Sequence, residues 1–407
     1  IMNRPFNLII AGGKTGGHLF PGIAVAQAVL RQRPDAQVRF VGTDAPFEIQ
    51  TLERYGFDHR IISSRPVKGG SLLNKLISAG LVLVSLAQSI QIMTASRPDF
   101  VLGVGGFSSF SVVLAARLMG IPTAIQEQNT IPGLTNRMLA PFAGAIFTAF
   151  DQTRQFGNNP KTRFTGNPVR KPTRTTPDLT PDVNPEPDLI LEPCCAPTDS
   201  HTQISPTRHP DAKPNPDRFT LLITGGSQGA RSINLAVADA LAELENDATP
   251  ENSPWLPPGF TVIHQTGRAD EAAIQDRYCA LAMKTCAKAF FSNLPEIEKQ
   301  ADLIIARAGA GTLSELAMAG KPAILVPFPH AADDHQTMNA RAFEQSGAAV
   351  LIHDRDLNGA VLKKTITRLI RDSEGRSRMG RAMKSLAMPD ADEVIARHIL
   401  DHKRRKA

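Results

Sequence analysis

The residues with the plainest chemical reach are Gly12-Gly13-Lys14-Thr15-Gly16-Gly17-His18, directly after the apolar run Leu8-Ile9-Ile10-Ala11. The glycines let the backbone close on a bulky anion, and a helix N-terminus with free N–H groups is a ready phosphate site. Residues 23–30 read as the helix that follows, which leaves His18 at the mouth of the turn. Imidazole titrates near neutral pH, so His18 is a candidate general base. A phosphate cradle beside a base points to an enzyme acting on a phosphorylated substrate. The plain alternatives are a tight strand-to-helix turn without a ligand and a structural histidine. Gly13-Lys14-Thr15 imitates the end of a P-loop, but that motif needs a glycine five positions before its Gly-Lys pair, where Leu8 stands.

Further along, Gly225-Gly226-Ser227-Gln228-Gly229-Ala230 follows the apolar run 219–224 and precedes a helical run at 232–244. Residues 308–312 form a third small-residue turn, before a helix that starts near Leu313. The N–H groups and dipole of such a helix can stabilise a leaving diphosphate. Asp354-Arg355-Asp356 and Asp390-Ala391-Asp392 both fit the D-x-D pattern of metal-dependent sugar transferases. Two unrelated occurrences, neither after a glycine-rich turn, show how readily that short pattern arises by chance.

The elements that position these residues alternate. Apolar runs at 7–11, 38–41, 100–104, 123–126 and 145–150 are separated by helical stretches, and the second half repeats the scheme at 219–224, 260–264, 303–306, 323–327 and 349–352. Strand–helix alternation predicts parallel α/β sheets, and two units that each open on a strand and a glycine turn predict two Rossmann-type domains. The length of 407 residues also predicts two domains. The expected boundaries are an N-terminal domain at 1–170, an insertion at 171–218, a C-terminal domain at 219–385, and a helix at 386–407 returning to the first domain.

The insertion holds eleven of the 31 prolines and has neither strand nor helix periodicity, which predicts disorder. Partner binding is its other reading. A net charge of +6 without aromatics among the basic clusters excludes a stacking platform for nucleic acid and favours anionic lipid or phosphorylated substrate. Cys194, Cys195, Cys279 and Cys286 match neither a disulfide framework nor a zinc pattern, and the N-terminus has no signal-peptide pattern. Both features lead to the expectation of a cytoplasmic protein. Residues 72–93 are rich in apolar side chains but interrupted by Ser78, Ser85, Gln88, Ser89 and Gln91, too weak for a membrane span. With Arg65, Lys68 and Lys75 nearby, the stretch is either a helix lying on a bilayer surface or an ordinary buried helix.

Taken in order, Gly13 to Pro21, Gly103-Val104-Gly105-Gly106-Phe107, Glu127-Gln128-Asn129, Gly133-Leu134-Thr135-Asn136, Gly166-Asn167-Pro168-Val169-Arg170, Gly225 to Ala230, Gly309 to Glu315, and Asp334-His335-Gln336 with Asn339 resemble the bacterial peptidoglycan glycosyltransferases that convert lipid I to lipid II, the MurG family. The resemblance spans nearly the whole chain outside the insertion. It implies a GT-B architecture, two Rossmann-like domains facing across a cleft. It also implies inverting, metal-independent and cofactor-free transfer of N-acetylglucosamine (GlcNAc) from UDP-GlcNAc to the C4 hydroxyl of the muramic acid in lipid I. Such an enzyme serves peptidoglycan synthesis, and through it cell shape and division. It would work as a peripheral protein on the cytoplasmic face of the membrane, against anionic lipid.

The resemblance places Thr15, Gly16, Gly17, Asn129, Arg170, Ser227, Phe291, Ala310, Gly311, Thr312, Leu313, Ser314, Glu315 and Gln336 at UDP-GlcNAc. Within that set, Glu315 would meet the ribose hydroxyls, Phe291 the uracil, and Gln336 the donor sugar. Gly13, Gly105 and Gly106 would cradle the acceptor diphosphate. His18 and Glu127 remain as alternative general bases, with Glu127 alternatively orienting another group. Lys14 stands where the family has a glycine, Gln126 where it has a histidine, and Gly311 where a larger apolar residue occurs. Another GT-B lipid glycosyltransferase, a UDP-sugar epimerase, or a non-catalytic nucleotide-sugar or membrane-binding module would share parts of this pattern.

Overall fold

The computed structural model describes residues 4–13, 15–64, 72–169, 217–226, 229–247, 256–291 and 293–404. Lys14, Arg170, Ser227 and nearly all of the 171–218 insertion lie outside the described residues. The rest forms two compact units. One comprises the described residues to 169 and those from Met388 onward; the other runs from 217 to Ala387.

The first unit alternates β1 (Asn7–Gly12), α1 (Gly16–Gln32), β2 (Gln37–Gly42), α2 (Pro46–Arg54), β3 (Asp58–Ile61), α3 (Leu72–Ser96), β4 (Phe100–Gly105), α4 (Phe107–Leu118), β5 (Thr123–Glu127), α5 (Leu134–Leu139), β6 (Ala145–Thr148) and β7 (Thr162–Phe164). Its sheet runs β3-β2-β1-β4-β5-β6-β7, with every neighbour parallel. A parallel sheet is covered on both faces, so its central strands are apolar throughout. Leu8 and Ile10 enter the core under α1, while Ile9 and Ala11 enter the core under α4. The chain order reverses between β1 and β4, the switch point where ligands of such folds bind.

The second unit holds β8 (Arg218–Thr224), α6 (Arg231–Asp247), β9 (Gly259–Gln265), α7 (Glu271–Cys279), β10 (Lys284–Lys288), α8 (Leu294–Gln300), β11 (Leu303–Ala306), α9 (Ala310–Ala319), β12 (Ala323–Leu325), α10 (His335–Gln345), β13 (Ala349–Leu351), α11 (Gly359–Arg371) and α12 (Ser373–Ser385). Its six strands are also all parallel, in the order β10-β9-β8-β11-β12-β13. The last helix, α13 (Ala391–Arg404), belongs to the first unit. Its Ile395, Ala396 and Ile399 are wholly buried in the core around α1. Arg31 of α1 clamps it through Asp392 and Glu393, each at 2.6 Å. Burying each isoleucine contributes about 2 kcal/mol.

Several sequence expectations change. Helix α1 begins at Gly16, not Ile23, so His18 lies in its first turn, where its N–H and that of Leu19 bond to the Thr15 carbonyl at 3.1 and 3.0 Å. Gly16, Gly17 and Pro21 conceal the helix, yet a proline near the N-terminal end removes only one bond of the ladder. Helix α9 likewise begins at Ala310, before Leu313. Strands β3, β7 and β10 had no predicted counterpart; they lie at sheet edges, where polar residues replace the apolar runs. Cys286 is buried on β10.

Candidate active site

In the first unit the site grows from the β1/β4 switch point. Gly12 and Gly105 lie side by side there, with φ of +111° and +100°. A Cβ on Gly12 would stand 2.0 Å from the Gly105 carbonyl oxygen, so only glycine allows the two turns to touch. Helices α1 and α4 start from these turns, and neither Thr15 nor Gly106 caps its helix with a side chain. Two sets of first-turn N–H groups are therefore available to an anion. Gly13 and Gly106 complete the two turns, while Thr15 and Gly17 are exposed and Gly16 half-exposed.

His18 is half-buried above β4: a Cβ on Gly105 would come within 2.9 Å of its Nδ1 and Cε1. Its Nδ1 lies 3.1 Å from Oε1 of Gln128, a side chain that sequence reasoning passed over. The Gln128 amide nitrogen donates to the Val104 carbonyl at 2.8 Å and to Gln126 Oε1, and Gln126 Nε2 donates to Asn167 Oδ1 at 3.2 Å. A backbone carbonyl can only accept, so the Gln128 nitrogen must face Val104 and its oxygen must face His18. His18 Nδ1 then carries the proton, and in the neutral ring the lone pair sits on Nε2. Gln126, in the family's histidine position, belongs to this buried line of amides.

Glu127 is arranged differently. Its Oε1 accepts from Asn129 N at 2.9 Å and Nδ2 at 3.2 Å, and its Oε2 from Gly133 N at 3.0 Å and Asn136 Nδ2 at 2.8 Å. Only 1% exposed, this carboxylate ties the β5–α5 loop together and holds Asn129 in place. Both of its oxygens are occupied by these four donors, which commits the carboxylate to the loop.

In the second unit the turn after β8 is closed by Gly229, where a Cβ would meet the Thr266 carbonyl oxygen at 2.0 Å. Helix α9 has no side-chain cap at Gly309, which leaves the N–H groups of Ala310, Gly311 and Thr312 at its first turn. Leu313 differs from these three: its side chain is wholly buried and its N–H bonds to Gly309 O at 3.0 Å. Ser314 Oγ donates to Ala310 O at 2.9 Å, and Glu315 follows, partly exposed. The space beside Gly311 is open, so the larger residue of relatives would fit there. Gln336 accepts from Phe328 N at 3.0 Å through Oε1, which turns its amide N–H groups away from that contact. Neighbouring His335 is turned to its own loop, with Nδ1 at 2.7 Å from Ala332 O. Phe291 is buried and donates its N–H to Gln265 Oε1 at 3.0 Å.

Arg307 was also missed. Its guanidinium bonds to Asp354 at 2.6 Å, Ser232 at 2.8 Å, and the Val326 and Pro327 carbonyls, and it lies 5.6 Å from the Phe328 ring centre. Asp354, the first acid of one D-x-D pattern, is thus engaged by an arginine. Among the described residues no three His, Cys, Asp or Glu side chains cluster as metal ligands. Glu298 on α8 has its carboxyl pushed up to about 8 by burial first, and then by the charges of Glu315 and Glu296.

Comparison with known proteins fits both units. Residues 8–148 match the glycosyltransferase family 28 N-terminal domain, and residues 220–395 match its C-terminal domain. A UDP-N-acetylglucosamine–N-acetylmuramyl-(pentapeptide) pyrophosphoryl-undecaprenol N-acetylglucosamine transferase of Trichlorobacter lovleyi is 38% identical over 395 residues, 97% of each chain. One of the same name from Anaeromyxobacter is 39% identical, over 96% of this chain and 91% of its own. The crystal structure of Acinetobacter baumannii MurG superposes with a TM-score of 0.72 at 27% identity, covering 98% of this chain and all of that one. Two parallel-sheet α/β domains of GT-B type, matched end to end by transferases of one name, place this chain in glycosyltransferase family 28, as a member of the MurG family.

Proposed function

We infer that the protein transfers GlcNAc from UDP-GlcNAc to the C4 hydroxyl of the muramic acid in lipid I, giving lipid II for peptidoglycan synthesis. The observation that carries this reading is the identity to transferases of that name over 97% of the chain. The reaction is a single displacement with inversion. The acceptor oxygen bonds to the anomeric carbon, the bond from that carbon to the UDP oxygen breaks, and the acceptor's proton passes to His18 Nε2. Gln128 holds His18 in the tautomer that leaves this nitrogen unprotonated. The α9 N-terminus and the Gly225–Gly226 turn stabilise the departing diphosphate without a metal ion. Glu315 takes the ribose, Phe291 flanks the uracil, and Gln336 turns its amide to the donor sugar. The Gly12–Gly13 and Gly105–Gly106 turns cradle the lipid-linked diphosphate, and Glu127 acts by positioning the Asn129 loop.

The acceptor's polyprenyl chain requires work at a membrane surface, and α3 is suited to it. Its inward positions are Ser85, Ser89 and Met93, with Ser85 hydrogen-bonded to Ser111 of α4 at 2.6 Å, while Leu83 is 67% and Val84 48% exposed. A helix that buries serine and exposes leucine fits an apolar partner. Among the described residues no helix is long and apolar enough to cross a membrane. We place the protein peripherally on the cytoplasmic face, against anionic lipid. Leu83→Glu with Val84→Glu should reduce sedimentation with anionic liposomes while leaving UDP binding intact; unchanged sedimentation would remove α3 from the membrane contact.

The reaction itself is tested by UDP release from UDP-GlcNAc, with and without a lipid I analogue, in EDTA. Acceptor-dependent, EDTA-insensitive release is expected. Conversion of UDP-GlcNAc without acceptor would mark an epimerase instead.

A further inference from the structure

Strand β9 lies between β8 and β10 and ends at Gln265, which is 1% exposed. The two ends of this side chain reach opposite ways across the carboxyl edge of the sheet. Its Oε1 accepts the Phe291 N–H, on the loop that follows β10, at 3.0 Å. Its Nε2 donates to the Gly226 carbonyl, on the loop that follows β8, at 3.2 Å, with Thr224 Oγ1 at 3.5 Å.

The base of this strut is itself fixed. Asn234 donates both amide hydrogens, to the Thr266 carbonyl and to Asp270, each at 2.9 Å, so its oxygen must accept from His264 Nε2 at 3.0 Å. His264 Nδ1 then accepts from the Tyr278 hydroxyl at 2.7 Å. Burial lowers the His264 pKa to about 3, so this network carries no imidazolium at working pH. The Thr266 carbonyl that Asn234 holds is the one against which Gly229 closes the phosphate-side turn.

We propose that Gln265 is a positioning residue that fixes the spacing between the uracil wall at Phe291 and the diphosphate turn at Gly225–Gly226, so that the pocket recognises nucleoside and diphosphate as one unit. This rests on the donor-site assignment above. The chemistry demands a primary amide, because one end must accept from an N–H and the other donate to a C=O. Leucine supplies neither, and a carboxylate would face the Gly226 carbonyl with no hydrogen to give.

The test compares uridine and UDP binding, by calorimetry or competition, for the wild type, Gln265→Leu and Gln265→Glu. In Gln265→Leu uridine affinity should fall, and the ratio of UDP to uridine affinity should fall a further ~10-fold, the scale of one lost buried hydrogen bond. Gln265→Glu should regain affinity as pH is lowered from 8 to 5, because a protonated carboxyl can again both accept and donate. A merely structural role would not produce that recovery, and it can be read even if Gln265→Leu does not fold. An unchanged UDP-to-uridine ratio in folded Gln265→Leu, or no recovery in Gln265→Glu, overturns the proposal. Wild-type protein that fails to bind UDP would overturn the donor-site assignment instead.

Discussion

The two units share a plan and differ in how they treat ionisable groups. Each opens on a strand and a glycine turn, each offers uncapped helix N-termini, and each has a buried glutamine bridging neighbouring strand ends, Gln128 in one and Gln265 in the other. In the first unit the glutamine serves a half-exposed histidine, and the nearby carboxylate of Glu127 is saturated with donors. In the second unit burial removes the charge of both His264 and Glu298. The lesson is a division of labour. On the mechanism proposed above, proton transfer would belong to the first unit, while the second would hold the departing diphosphate at helix N-termini and glycine turns.

The sharpest way to break that division is a pair of variants. His18→Ala should lower kcat by ~100-fold or more, the usual range for a lost general base, with UDP affinity unchanged. Glu315→Ala should do the reverse, weakening UDP binding ~10-fold or more by loss of charge-assisted hydrogen bonds, with the pH profile of kcat preserved. Equal effects of both on kcat and on UDP affinity would dissolve the distinction.

A smaller effect is expected from Gln128→Leu. His18 would keep its ring but lose the acceptor that selects its tautomer, so kcat should fall ~10-fold, with the acid limb of its pH profile displaced. A pH profile superimposable on the wild type would make Gln128 a packing residue only.

How far the sequence reveals this site depends on what each residue does. Glycine turns between apolar runs announce themselves, because backbone approach requires that residue type wherever it occurs. The triplet Glu127-Gln128-Asn129 shows the limit. Residue type draws attention to the ionisable member, yet the amide beside it touches the histidine, and only the direction of the loop after β5 decides between them. Arg307 is less legible still, since Ser232, Val326, Pro327 and Asp354 come from separate parts of the chain. Edge strands such as β3 escape notice because exposure permits Asp58 and Arg60 where an inner strand has apolar side chains.

A last expected effect, on stability and not on catalysis, concerns the neutralised charge of the second unit. Folded protein holds the Glu298 proton up to about pH 8, whereas an unfolded chain loses it near 4.5. Across that window the folded state binds more protons, so stability falls as pH rises and levels off above about 8. Glu298→Gln should flatten this slope in denaturant titrations between pH 5 and 8, because a neutral amide faces Glu315 and Glu296 without a proton to lose. A slope unaltered by the substitution would show that the carboxyl is already ionised in the native state.

The return of α13 to α1 has a consequence for how the protein is made. The ribosome releases the strands of the first unit early, but the residues that seal its core, Ile395, Ala396 and Ile399, emerge after the whole second unit. Domains generally fold as they are synthesised, N-terminal first. Here that order is inverted: the half that begins first is completed last. A chain that stops directly before α13 contains every residue of the second unit and a first unit with an apolar seam open to solvent, a ready signal for proteolysis.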